Sequence, residues 1–165
     1  MPNLERPSFQ EATKNEFKPT RRGASFGPSW ATHWFRIQLT VPEELRQKER
    51  LEFHWDANNE GLVWSEDGLP LQGLTGGGDR IEWILPDSFR DGKEHIFYIE
   101  MACNGMFGNG NGGTIQPPSA HRYFQLRTAR ITAVNLQARA LYYDFWMIGG
   151  ESISLSKFFL KWLSY

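Results

Sequence analysis

From Ala31 to Val41 the chain alternates without a break, and this stretch constrains the fold more than any other. His33, Phe35, Ile37, Leu39 and Val41 fall on one face of an extended segment, while Thr32, Trp34, Arg36, Gln38 and Thr40 fall on the other. A side-chain period of two over that length is a half-buried β-strand, because a helix would scatter the same apolar groups around its whole circumference. A sheet with one apolar face must bury it against a second layer. Pro42 ends the strand, since proline has no N–H to give to a ladder.

The same rhythm returns along the chain. LEFHWDA (51–57) places Leu51, Phe53, Trp55 and Ala57 inward. GLVW (61–64) and LPLQGL (69–74) flank SEDG (65–68), which reads as a hairpin turn with Gly68 free to take positive φ. RIEWIL (80–85) puts Ile81, Trp83 and Leu85 on one side before Pro86 stops it, and KEHIFYIEMAC (93–103) is apolar enough for a central strand. A loop over 104–121 and a last extended segment over 122–136 follow. Only after Leu136 does the period change: Ala138, Leu141, Tyr142, Phe145 and Ile148 keep the spacing of a helix buried on one side. Seven Trp, twelve Phe and sixteen Gly suit aromatic strands joined by turns. The predicted fold is all-β: a jelly-roll-like, two-sheet β-sandwich over 30–136, with an N-terminal extended arm over 1–29 and a C-terminal helix over 137–149.

Bulk properties exclude several function classes. With 18 basic and 19 acidic residues the net charge is −1, so the surplus of cations that sequence-independent nucleic-acid binding requires is missing. Lys18, Arg21 and Arg22 form the one local basic cluster and read as a solvated lead-in. No run approaches the roughly 18 apolar residues of a membrane span. The N-terminus has no apolar signal region, which points to a chain made and kept in the cytosol. Cys103 is the only cysteine, and its apolar surroundings predict a buried, inert thiol.

Chemistry-bearing patterns are present but incomplete. Gly108, Gly110 and Gly113 match GxGxxG in spacing, yet Pro117 and Pro118 forbid the helix whose N-terminus would receive a pyrophosphate. Gly76 to Gly78 read as a flexible loop with no Lys-Ser/Thr pair behind it. His54 and Asp56 have HxD spacing, but a catalytic zinc wants about three protein ligands, so the pair reads as polar residues on the wet face of a strand. Among Asp56, Glu60, Glu66 and Asp67 nothing singles out the two carboxyl groups of a glycosidase. No catalytic, metal-binding or cofactor-binding residue is therefore predicted. Trp34 and Trp64, with Asn59 and Glu60 nearby in sequence, are candidate carbohydrate contacts, since indole faces stack on pyranose rings; the competing reading makes the tryptophans core. Asn104, Met106, Phe107 and Asn109 mark a candidate domain-docking loop, although apolar loop residues equally fold back onto a core.

A longer signal lies in SFGPSWATHWFRIQLTVPEEL (25–45), LEFHWDANNEGLVWSEDGLPLQGLT (51–75), IEWILPDSFRDGKEHIFYIEMACNGMFGNG (81–110) and AVNLQARALYYDFWMIG (133–149). These co-linear blocks resemble the N-terminal region of glycoside hydrolase family 38 α-mannosidases of the fungal cytosolic/vacuolar type. The resemblance implies a jelly-roll domain placed ahead of the catalytic domain, acting as a non-catalytic structural and docking domain in an enzyme that hydrolyses terminal α-linked mannose; a mannosyl-binding module is the alternative. It further implies a zinc ion and an aspartate nucleophile in a catalytic domain with no counterpart here, so this chain is expected to be inactive alone. Homotetramers and delivery from cytosol to vacuole are implied as well. The pattern departs at residue 150: GESISLSKFFLKWLSY (150–165) does not continue the family's helix. Gly-Glu-Ser is compatible with a splice-donor string, so this tail reads as translated intron or a truncated gene model.

Overall fold

The computed structural model describes residues 6–78, 80–105 and 117–149. In chain order the elements are α1 (Phe9–Thr13), β1 (Ser25–Phe26), β2 (Thr32–Thr40), α2 (Glu43–Arg46), β3 (Arg50–Asp56), β4 (Glu60–Ser65), β5 (Pro70–Thr75), β6 (Glu82–Ile84), a 3-10 turn (Asp87–Asp91), β7 (Glu94–Ala102), β8 (Phe124–Gln125), β9 (Thr128–Val134) and α3 (Leu136–Gly149). One sheet has the order β2-β7-β4-β5 and a second the order β6-β3-β9, with β1 and β8 forming a short separate pair. All of these pairings are antiparallel. The chain changes sheet repeatedly, from β2 to β3, back to β4 and β5, across to β6, back to β7 and across again to β9. That traffic between layers is what the predicted jelly-roll-like sandwich requires.

The layers are held by aromatic side chains that meet between them. Phe35 of β2 reaches Trp55 of β3 with ring centroids 4.7 Å apart, and Phe97 of β7 reaches Phe53 of β3 at 5.1 Å and Trp83 of β6 at 4.8 Å. Most are edge-to-face or tilted contacts, the geometry that ring quadrupoles favour. Leu51, Phe53, Trp55 and Ala57 are all buried, as the alternation predicts, and so are Trp83, Leu85 and Cys103. β7 is central, bonded to β2 on one side and β4 on the other. Gly68 closes the β4–β5 hairpin at φ 86°.

Three local expectations give way to tertiary packing. The N-terminal arm is not extended throughout: α1 interrupts it, closed by a capping box in which Ser8 and Glu11 serve each other's backbone N–H groups. The Gly76–Gly78 segment is not a slack loop but a close approach, since a Cβ at Gly76 would stand 2.5 Å from the Asn59 nitrogen, and the Gly76 N–H donates to the Asn59 carbonyl at 2.8 Å. Finally, α3 forms where the helical rhythm begins, yet its apolar residues are not buried: Leu141, Tyr142, Phe145, Trp146 and Met147 are exposed, and Ile148 is 76% exposed. Helical periodicity reports an apolar stripe, whereas burial needs a surface to lie against. The tail at 150–165 and the glycines at 108, 110 and 113 lie outside the described residues.

Two consequences are measurable. Phe97 is 1% exposed and touches rings of three elements, so Phe97→Ala is expected to cost about 3–5 kcal/mol, read as a lower urea midpoint at unchanged m-value. Burial pushes the Cys103 thiol up to about 11; at mildly alkaline pH it should resist a disulfide-exchange reagent in the native chain and react at once in denaturant.

Candidate functional site

Two outer surfaces carry polar side chains buried far more deeply than a solvated face would allow. The first is the outer face of the four-stranded sheet. Register sets Trp34 beside Glu100, itself beside Leu62, and Arg36 beside Tyr98, itself beside Trp64, so alternation points these groups away from the core. Phe9 of α1 descends onto this face, 5.9 Å from Trp34, 5.7 Å from Trp64 and 5.2 Å from Tyr98 by ring centroids, and stacks on Trp64 at 27°. Trp34 and Trp64 are themselves 5.5 Å apart. Beneath them the Glu100 carboxylate accepts from Trp64 Nε1 at 3.2 Å and from Arg6 Nη2 at 2.7 Å, with Arg6 Nε closing a fork on the other oxygen. A cleft of about 440 Å³ opens beside this contact, lined by Arg6, Ser8, Phe9, Trp34, Trp64 and Gly68 among others. Gly68 also gives Phe9 its seat, because a Cβ there would lie 2.8 Å from the Phe9 ring.

The predicted site residues divide between two places. Trp34 and Trp64 come together, but their exposed side is taken by Phe9. Glu60 lies four residues from Trp64 along β4, roughly 13 Å at about 3.3 Å per residue. There its carboxylate accepts from Asn104 Nδ2 at 3.1 Å. Asn59 is buried, and its side-chain amide has no hydrogen-bond partner among the described residues. Met106, Phe107 and Asn109 lie outside the described residues. The N-terminal cover was missed by the sequence reading, although Ser8-Phe9-Gln10-Glu11 carries the S-x-x-E spacing that announces a helix start.

The second surface is the outer face of the three-stranded sheet, where Glu52 is only 1% exposed. His54 Nε2 stands 3.0 Å from Glu52, Arg50 Nε 2.7 Å, and Arg139 Nη1 donates at 2.5 Å while its Nη2 donates to Glu82 at 3.0 Å. Arg139 belongs to α3, so this carboxylate ties the helix to the sheet. Burial pushes the Glu52 carboxyl up, but hydrogen bonds from His54 and Arg139 and the charges of Arg139 and Arg50 outweigh it and hold the group below the usual carboxylate range. The HxD pair is thus not on a wet face. His54 turns to Glu52, and Asp56 Oδ1 accepts the backbone N–H groups of Asn58 at 2.7 Å and Gly77 at 3.0 Å. Among the described residues no group of three His, Cys, Asp or Glu side chains converges as a metal site would require, so zinc finds no fitting ligand set there.

A family model described as "Alpha-mannosidase, jelly roll domain" matches residues 1–132. The chain belongs to this α-mannosidase jelly-roll family. Similar proteins include Alpha-mannosidase of Saccharomyces cerevisiae, 46% identical over 141 residues, Alpha-mannosidase 2C1 of Homo sapiens, 39% identical over 155, and Alpha-mannosidase G of Dictyostelium discoideum, 40% identical over 144. These alignments cover 85%, 93% and 86% of this chain, but only 13%, 15% and 13% of the respective relatives. The jelly-roll domain is therefore a small part of each α-mannosidase it resembles. Among the described residues no helix is long and apolar enough to cross a membrane.

The Glu52 network makes a signed prediction. A carboxyl held low in the folded state adds stability that is present above the unfolded carboxylate pKa and is lost as pH falls through the folded value. Glu52→Gln should flatten that acid limb in thermal melts taken across the carboxylate range. At neutral pH it should cost about 1–3 kcal/mol, less than a fully buried pair because its cationic partners keep some contact with water.

Proposed function

We propose that this chain serves as a non-catalytic structural and docking domain of an α-mannosidase, and that the apolar surface of α3 seats against the catalytic part of that enzyme. The observation that carries this reading is the exposure of Leu141, Tyr142, Phe145, Trp146, Met147 and Ile148 on one helix whose base is pinned by Arg139 to Glu52 and Glu82. An exposed apolar patch of this kind marks a protein contact, and the pin fixes the direction in which the helix leaves the sandwich. Asn104, with Met106, Phe107 and Asn109, is a second contact in this reading. The parent enzyme would hydrolyse terminal α-linked mannose from oligosaccharides, with the zinc and the nucleophile supplied outside this chain's described residues. Family resemblance extends the proposal to a homotetrameric enzyme that works in the cytosol and is delivered to the vacuole.

A second reading, a module that binds mannosyl chains, is favoured by the neighbouring indoles of Trp34 and Trp64. Phe9 occupies the side on which a sugar ring would stack, so the docking reading is the stronger.

The test replaces the matching segment of the yeast relative with residues 1–149 of this chain. The chimaera should hydrolyse an aryl α-mannoside, whereas the isolated chain supplied with zinc should release no chromophore above a boiled control. Adding Leu141→Asp, Phe145→Asp and Ile148→Asp to the chimaera should lower recovered activity by about tenfold or more, as loss of buried anchors does. Hydrolysis by the isolated chain, or a triple variant as active as its parent chimaera, would sink the proposal.

A further inference from the structure

The N-terminal segment covers the outer face of the four-stranded sheet without being able to hold a shape of its own. α1 has five residues, far short of the dozen or so that an isolated helix needs in water. Its order comes from what it touches: Phe9 among three rings, Phe17 5.9 Å from Tyr98, and Arg6 on Glu100. Residues 18–23, which join it to the sandwich, are exposed and carry no helix or strand. A second cleft, of about 850 Å³, opens along the segment and the edge of β2, lined by Phe17, His33, Trp34 and Arg36 among others.

The surface underneath is demanding by contrast. Trp34, Trp64 and Tyr98 surround a common volume filled by one ring, and at their base lies a carboxylate whose side chain is only 7% exposed. A buried carboxylate has to be paired. Among the described residues Arg6 is the cation that pairs with Glu100, and its own side chain is 64% exposed. The site side is therefore fixed in strands β2, β4 and β7, while the occupying side is attached by a largely exposed cation, the rings of Phe9 and Phe17, and the buried Ala12. Three aromatic rings with a carboxylate beneath them are suited to a cation and a ring presented together.

We propose that this face is a peptide-binding site closed by the chain's own N-terminal latch. With the latch lifted, it takes a second peptide that presents an arginine followed three residues later by an aromatic ring, the spacing of Arg6 and Phe9. The latch and the second peptide exclude one another, because both need the Glu100 carboxylate and the volume between the three rings. The site differs from the α3 surface in sheet, chemistry and occupant.

The experiment uses the full chain carrying Arg6→Ala and Phe9→Ala, titrated with a synthetic peptide copying residues 6–18 and followed by tryptophan fluorescence. Saturable binding is expected, weakened by salt, and at least about tenfold weaker to the unsubstituted chain, whose tethered latch competes at the roughly millimolar effective concentration of a short linker. Peptides with the arginine or the phenylalanine replaced by alanine should lose about tenfold or more. The proposal is overturned if the open variant keeps the parent's far-UV spectrum and cooperative melt yet shows no saturable signal. It is equally overturned if variant and parent bind the peptide alike, or if mannose oligomers saturate the open variant more tightly than the peptide does. Should the double variant not fold, the unsubstituted chain is given a specific protease site at Thr20–Arg21 and cut. Exchange of the released segment for a labelled copy of the peptide supports the proposal, and retention without exchange overturns it.

Discussion

Phe97 is the contact on which the domain depends. It sits on β7, the strand bonded on both sides, and its ring meets Phe53 and Trp83 of the opposite sheet and Phe89 of the turn that precedes it. Each sheet alone has an apolar face and no reason to be stable. The rings that meet between them, with Phe35 on Trp55 completing the row, convert two marginal layers into one core from which water is excluded. Close packing there leaves polar chemistry to the outer faces and the loops.

Those outer faces share a design. Each sheet buries one glutamate on its outer side, Glu100 on β7 and Glu52 on β3, and each glutamate is met by an arginine from a segment outside the sandwich. Arg6 arrives from before the first strand and Arg139 from after the last. A buried carboxylate is a poor source of net stability but a strict specifier of its partner, since leaving it unpaired is costly. The two glutamates therefore fix where the terminal segments lie: the N-terminal one closed over an aromatic site, the C-terminal one projecting an apolar helix from the domain. Catalysis has no comparable preparation among the described residues. The pair with HxD spacing is already engaged, His54 with Glu52 and Asp56 with two backbone N–H groups.

Much of the fold was legible because β-structure writes itself locally. The alternation over 31–41 and 51–57 and the apolar run over 93–103 are properties of single strands, and they correctly gave β2, β3 and a central β7. Gly68 at a hairpin corner is likewise a local requirement, met at φ 86°. Of the candidate site, the approach of Trp34 to Trp64 could not be read, because they stand on strands separated by β7 and thirty positions apart in the chain. Asn59 and Glu60 are neighbours of Trp64 in sequence but stand apart from it in space, because Asn59 precedes β4 and Glu60 lies four residues along it.

By itself, then, the sequence determined the period of each element, the turns that proline and glycine enforce, the absence of a cationic surplus and the family to which the blocks belong. All of these are set by neighbouring residues or by composition. Only the tertiary structure decided that Phe9 covers two tryptophans, that Glu52 and Glu100 are buried rather than wet, and that the apolar stripe of α3 faces outward. Each of those depends on which groups from distant positions meet, Arg6 with Glu100 across 94 residues and Arg139 with Glu52 across 87. No local pattern encodes such a meeting, because the desolvation that makes it matter exists only once the sheets have closed.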